Sequence, residues 1–350
     1  MTGGRTWGWG IGLLVCWALA RCGPATDAGE RDAWPATDLP GQEDAGNVAP
    51  ETLEGDLPPD LREAPPWVDD AEWAALQAVN GVRSSCGLAP LEPVESLSRA
   101  ARAHAAFLTE HCEDYRRTGL SPHQQDPSWS GFLGRDPWDR MIAMGYPARG
   151  VGMAEVIAFD NDPDKAVAGW IRTLYHRLPL LDPRTRHGGY GRSGPAAACS
   201  WLMLRNADVM DLGMALDAED TIVLYPPDGA RLVPTSFDGA EVPTPIAPPA
   251  GWPSGTIITV QFGRDRPFQV RSHDLLERGE TPVPHLIVAA AGDPVSGVTA
   301  DPNLHDSRVL ALYALARLKA GTDYTVRLDL LRDGRPLLLQ WGFKTRYKQD

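Results

Sequence analysis

The hydrophobic period of this chain changes once, near Asp220, and that change limits what it can fold into. Upstream, apolar residues recur at helical spacing. Leu97, Ala100, Ala101, His104 and Leu108 define one face of a helix predicted over residues 96–111, with further helices at 71–83 and 135–144. Asp162-Pro163 marks another helix start, because aspartate accepts from the first free amides and the fixed φ of proline suits the first turn. Ala166, Val167, Trp170 and Ile171 then face a core, and short strands are expected around 188–191 and 199–204. Downstream, Ile258, Val260 and Phe262 alternate with Thr259 and Gln261, the period-two mark of a half-buried strand. Tyr324, Val326, Leu328 and Leu330 alternate likewise, and Arg332-Asp333-Gly334 turns the chain toward Leu337, Leu339, Trp341 and Phe343. A chain of 350 residues is long for one core, so the expectation is an α+β unit followed by an all-β unit.

The net charge of −13 is local: residues 23–66 hold eleven Asp/Glu and two Arg, or −9, leaving −4 for the rest. That segment is Pro-rich and poor in apolar residues, and reads as a disordered acidic linker. The remainder has no basic stripe, which argues against nucleic acid as a partner. Residues 1–22 read as an export signal. Arg5 is the positive flank, and the apolar run from Trp7 to Ala20 is shorter than the roughly 20 residues a bilayer span needs. Leu19-Ala20-Arg21-Cys22 is lipobox-like, which makes Cys22 the expected lipidation site; Arg21 departs from the small residue usual there, and Cys16 is a poorer candidate. The expected location is therefore the outer cell envelope or the secreted space, with a lipid anchor in the membrane. Cys86, Cys112 and Cys199 remain. Cys86 and Cys112 lie near the ends of two predicted helices and are the candidate disulfide, the alternative being three separate thiols. No C-x-x-C spacing supports a thiolate zinc site.

Between residues 154 and 191 the series Ala154-Glu155-Val156-Ile157-Ala158, Ala166-Val167-Ala168-Gly169-Trp170, Tyr175-His176-Arg177, Leu181-Asp182-Pro183 and Gly188-Gly189-Tyr190-Gly191 resembles the bacterial branch of the CAP superfamily, the SCP-like or cysteine-rich secretory protein type. Asn80 with Arg83, Gly87-Leu88 with Pro90-Leu91, Asp139-Arg140 and Gly145-Tyr146 extend the likeness over about 70–210. The resemblance implies a three-layer α-β-α sandwich, here assigned to residues 67–212. Residues 318–345, with Gly321-Thr322-Asp323-Tyr324 and Trp341, Phe343 and Thr345, resemble the last strands of bacterial Ig-like domains, which implies an Ig-like β-sandwich over 218–347.

By the same resemblance His123, Glu155 and His176 occupy cleft positions. Two imidazoles and a carboxylate suit a divalent metal such as zinc, with His123 and His176 as candidate ligands. In the plainer reading Glu155 anchors backbone amides and His176 fixes a turn. The second cleft carboxylate of eukaryotic members is absent, since Ile171, Arg172 and Thr173 follow Trp170. Arg177 reads as a loop cap, His104 as a core residue, His187 as exposed, and His273, His285 and His305 as surface or loop residues. His111 and Cys112 are helix neighbours and do not face each other. No G-x-S-x-G elbow supports a serine hydrolase. The expected function is a non-enzymatic envelope module whose cleft binds a small hydrophobic ligand or a protein partner. The alternative is a metal-dependent, peptidase-like hydrolase in which Glu155 activates water. A purely structural surface protein is the third reading.

Overall fold

The computed structural model describes residues 63–160, 162–194 and 206–348. The export signal, Cys22, nearly all of the acidic linker, Cys199 and the strand expected at 199–204 lie outside them. The first unit contains helices α1 (Asp70–Ser85), α2 (Glu95–Glu110), α3 (Cys112–Thr118), α4 (Pro137–Ala143), α5 (Pro163–Arg172) and α6 (Arg177–Leu180). Its strands are β1 (Glu92–Pro93), β2 (Val151–Ala158), β3 (Thr185–Ser193) and β4 (Ala207–Ala215), joined in the order β1-β3-β4-β2. The helices expected at 71–83, 96–111 and 135–144 are α1, α2 and α4, while α3 and α6 were not anticipated. At α5 the expected start is present: Pro163 opens the helix and the Asp162 carboxylate accepts from the Asp164 amide at 2.9 Å.

Strand alternation distributes the core between two faces. Ala154 and Val156 of β2 pack with Leu76 and Val79 of α1 and with Val167 and Trp170 of α5. Met153 and Ile157 point the other way, toward Leu97 and Met141 in one cluster and Ala101 and Leu108 in another. Helices therefore cover both faces of the sheet, the expected α-β-α sandwich. Gly189 and Gly191 explain how close that packing is. A Cβ at Gly189 would lie 2.1 Å from the Ser98 nitrogen, and one at Gly191 would lie 2.1 Å from the Arg102 nitrogen. Only glycine lets α2 rest directly on β3.

The second unit is a β-sandwich of two five-stranded sheets. One sheet holds β5 (Ile222–Tyr225), β7 (Ile258–Phe262), β10 (His285–Ala289), β11 (Thr299–Ala300) and β12 (Val309–Ala314). The other holds β6 (Ala230–Val233), β8 (Phe268–Glu277), β9 (Thr281–Pro282), β13 (Asp323–Arg332) and β14 (Arg335–Thr345). Ile258, Val260, Val326, Leu328, Trp341 and Phe343 meet between them, as their alternation predicts. His273 and His285 depart from the surface-or-loop reading. They lie on β8 and β10, where the chain crosses from one sheet to the other, and their rings meet with His273 Nδ1 2.7 Å from His285 Nε2.

The two units are packed together. Leu174, Tyr175 and Leu178 share a buried apolar cluster with Phe237, Ile257, Val309 and Tyr313. Arg177 is fully buried and caps carbonyls on both sides, donating through Nε to Ile171 O at 2.7 Å and through a terminal nitrogen to Ile257 O at 2.9 Å. It also stacks over the Tyr225 ring at 4.1 Å. Arg308 reaches back to the Asp182 carboxylate at 2.8 Å.

The Cys86–Cys112 pairing is not formed. Cys112 is disulfide-bonded, but Cys86 is a free thiol, so the partner lies outside the described residues. The reason is the layering: Cys86 ends α1 on one face of the sheet, whereas α3 packs on the other with Ile157 and Val209. A disulfide needs Cα atoms within about 7 Å. Burial pushes the Cys86 thiol up to about 11, which leaves it unreactive at neutral pH.

Candidate functional site

Glu155 sits on β2 with its side chain on the α2 and α4 face, fully enclosed. One oxygen accepts from the Arg140 guanidinium at 2.7 Å and the other accepts from His123 Nδ1 at 2.8 Å. Arg140 also donates to the carbonyl of His123 at 3.0 Å, so it holds both the carboxylate and the loop that carries the ring. Burial opposes ionisation of Glu155, but the Arg140 guanidinium, together with the His123 contact, outweighs it and holds the carboxyl well below the usual carboxylate range. His104 itself is the core residue expected from the sequence. Its Nε2 donates to Pro122 O at 2.8 Å, its Nδ1 accepts from Gln125 at 3.0 Å, and burial, aided by Arg140, pushes it down to about 3. It is therefore neutral near pH 7.

His176 lies at the N-terminal edge of α6 and makes a matching contact, 2.8 Å from Nδ1 to a carboxylate oxygen. That carboxylate belongs to Glu241, in a loop of the second unit. His123, Glu155 and His176, distant in sequence, line one concavity with Tyr175 and Pro179, closed on one side by Val242 and Pro243. The His123 and His176 side chains are 16% and 17% exposed, so solvent reaches both rings. With each Nδ1 committed to a carboxylate, the Nε2 positions are left without a partner among the described residues. The cavity volume is about 20 Å³, room for one or two water molecules.

Behind Glu155 lies a second carboxyl that the sequence reading missed. Asp211 of β4 pairs directly with Glu155 of β2 in the antiparallel register. It has no exposed surface, and neither of its oxygens has a well-formed hydrogen bond among the described residues. Burial first, then the charge of Glu155, raises its titration well above the usual range, with Arg140 only partly opposing. One guanidinium cannot neutralise two buried carboxylates, so Asp211 carries the proton and Glu155 the charge.

This arrangement offers two hydrogen-bonding or ligating nitrogens, and each oxygen of Glu155 already accepts one hydrogen bond. Among the described residues no group of three or more His, Cys, Asp or Glu is placed to hold a metal ion. Catalytic zinc sites use three protein ligands, so two imidazoles do not fit a resident zinc. His187 is half-buried rather than exposed, with Nδ1 2.8 Å from the Tyr146 hydroxyl and no place in the pocket lining.

Residues 76–203 match the family model described as CAP, the cysteine-rich secretory protein family. These residues therefore form a CAP/SCP domain. The protein YkwD of Bacillus subtilis (strain 168) is 27% identical over 128 residues, covering 37% of this chain and 44% of that relative. The chain thus spans less than half the length of that protein. Among solved structures, an outer surface protein from Borrelia burgdorferi is similar at 19% identity and TM-score 0.31, over 41% of this chain and 90% of that one. An extracellular SCP-domain protein from Bacillus anthracis str. Ames is similar at 19% identity and TM-score 0.29, over 41% of this chain and 39% of that one.

Proposed function

We propose that the protein is an exported, lipid-anchored envelope protein whose CAP domain is a non-enzymatic binding module. One observation carries the reading: both oxygens of Glu155 are already taken, by Arg140 and by His123 Nδ1. A carboxylate so engaged, and held below its usual range, is a poor general base, which weighs against the alternative in which Glu155 activates a metal-bound water. What remains is a shallow recognition pocket with two imidazole nitrogens. Its small volume favours a protruding side chain of a protein partner over an acyl chain or sterol, which would have to displace Val242 and Pro243.

Zinc is a useful probe of the two nitrogens. Calorimetric titration of the mature chain is expected to show weak, exchangeable binding, with a Kd of about 1 µM or weaker, lost in His176→Ala with the fold intact. Zinc retained stoichiometrically through dialysis, or peptide hydrolysis abolished by Glu155→Gln, would refute the binding-module reading.

Export and anchoring rest on residues 1–22. Among the described residues no helix is long and apolar enough to cross a membrane. Intact-mass measurement is expected to find residues 1–21 removed and Cys22 lipidated. An unmodified N-terminus elsewhere would remove the anchor and leave export to be tested separately.

A further inference from the structure

We propose that Glu241 is a positioning residue of the pocket, supplied by the second unit, which fixes the tautomer and orientation of His176. The inference rests on reading this concavity as the binding site, although its test does not. Glu241 lies 65 residues beyond His176. Its side chain is fully buried. One oxygen accepts from the backbone amides of Tyr175 and His176 at 2.7 and 3.0 Å and from His176 Nδ1 at 2.8 Å. The other accepts from the Leu174 amide at 2.8 Å. An oxygen that already receives two amide protons is an acceptor toward the ring as well. Nδ1 must therefore carry the proton, and the neutral ring presents an unprotonated Nε2.

The loop that delivers this carboxylate is itself held in place. Asp238 accepts from the Ala240 amide at 3.1 Å, the Thr244 hydroxyl donates to Glu241 O at 2.9 Å, and the Tyr313 hydroxyl donates to Ile246 O. Glu241 is followed by Val242 and Pro243, which wall the same pocket. Arg177 and Tyr175, on either side of His176, also bond into the second unit, at Ile257 O and at the Asp301 carboxylate. The β-sandwich thus contributes a wall and an orienting carboxylate. The pocket has two matched imidazoles, one oriented from within the CAP domain by Glu155 and one from outside it by Glu241. Outer carboxylates of this kind set ring orientation and Nε2 basicity wherever imidazoles bind or ligate.

Nitrogen-resolved NMR of the histidine side chains in the mature chain tests this directly. In the wild type the neutral His176 ring is expected to be almost wholly the Nδ1–H form. Glu241→Ala is expected to lose that preference and populate both tautomers. Glu241→Gln keeps a carbonyl oxygen that can accept from Nδ1–H, and is expected to restore the Nδ1–H signal. A role confined to anchoring the 174–176 amides would change stability without this tautomer signature or its rescue. A wild-type ring found protonated at Nε2 overturns the proposal, and that measurement holds even if Glu241→Ala does not fold. A pocket that binds nothing while His176 keeps the Nδ1–H form supports the role of Glu241 and leaves only the binding function refuted.

Discussion

Replacing Arg140 with methionine is expected to destabilise the protein by about 3–5 kcal/mol, the usual cost of stranding one partner of a buried ion pair. Arg140 is completely buried, and it is the only guanidinium within hydrogen-bonding reach of Glu155 among the described residues. Methionine fills similar space but leaves the Glu155 carboxylate beside Asp211 with no cation, so one more proton must be taken up on folding. The contribution of Glu155 to the pH dependence then changes sign. In the wild type Glu155 titrates below its unfolded value, so its stabilisation is present above the unfolded carboxylate range and is lost as pH falls. In Arg140→Met the folded-state titration of Glu155 rises, and the variant gains stability as pH falls toward about 4. Urea midpoints at pH 3, 5 and 7, read as the difference between variant and wild type, check both the size and the sign. The double variant Arg140→Met/Glu155→Gln is expected to recover a large part of the loss, because it removes the charge that was stranded. A loss under about 1 kcal/mol, or no coupling between the two positions, would show that the pair is not the electrostatic centre of the site.

Asp211→Asn is expected to act in the opposite direction and stabilise by about 2–4 kcal/mol at pH 7. The wild-type carboxyl must be protonated inside the fold although it is ionised in the unfolded chain. Keeping an acid neutral at pH 7 against an unfolded value near 3.9 costs up to about 4 kcal/mol. Asparagine has the same shape and carries no such cost. Because Asp211 titrates well above its ordinary value when folded, the folded state binds the extra proton. Wild-type stability therefore falls as pH rises from the unfolded carboxylate range toward the folded one. The variant should lack that slope, so the two thermal midpoints converge near pH 4 and separate toward pH 7. A variant no more stable than wild type at pH 7 would mean that Asp211 is ionised and that its partner has been misidentified.

Much of the first unit was legible in local pattern. Asp162-Pro163 gave away the start of α5, and the Leu97-to-Leu108 stripe gave away the buried face of α2. His123, Glu155 and His176 were found through their flanking residues, and they do share one pocket. Asp211 left a faint signal, an acid between Met210 and Leu212 in a strand whose only other charged residue is Asp208. The Cys86 and Cys112 assignment failed because helix ends alone do not say which face of a sheet a helix covers.

Sequence by itself determined the longer helices, the principal β-strands of the second unit and the change from α+β to all-β, because these follow from periodicity and capping. The pocket histidines came only from the resemblance to a family. Tertiary structure alone decided what those histidines are tied to. Glu241 lies in a loop with no periodic or capping signal, and its meeting with His176 depends on how a β-sandwich docks on a CAP domain. The protonation of Asp211 likewise depends on a strand register that places it opposite Glu155, with one arginine for two carboxyls. Charges separated by tens of residues acquire their energies only when burial brings them within a few ångströms in a medium that screens them weakly.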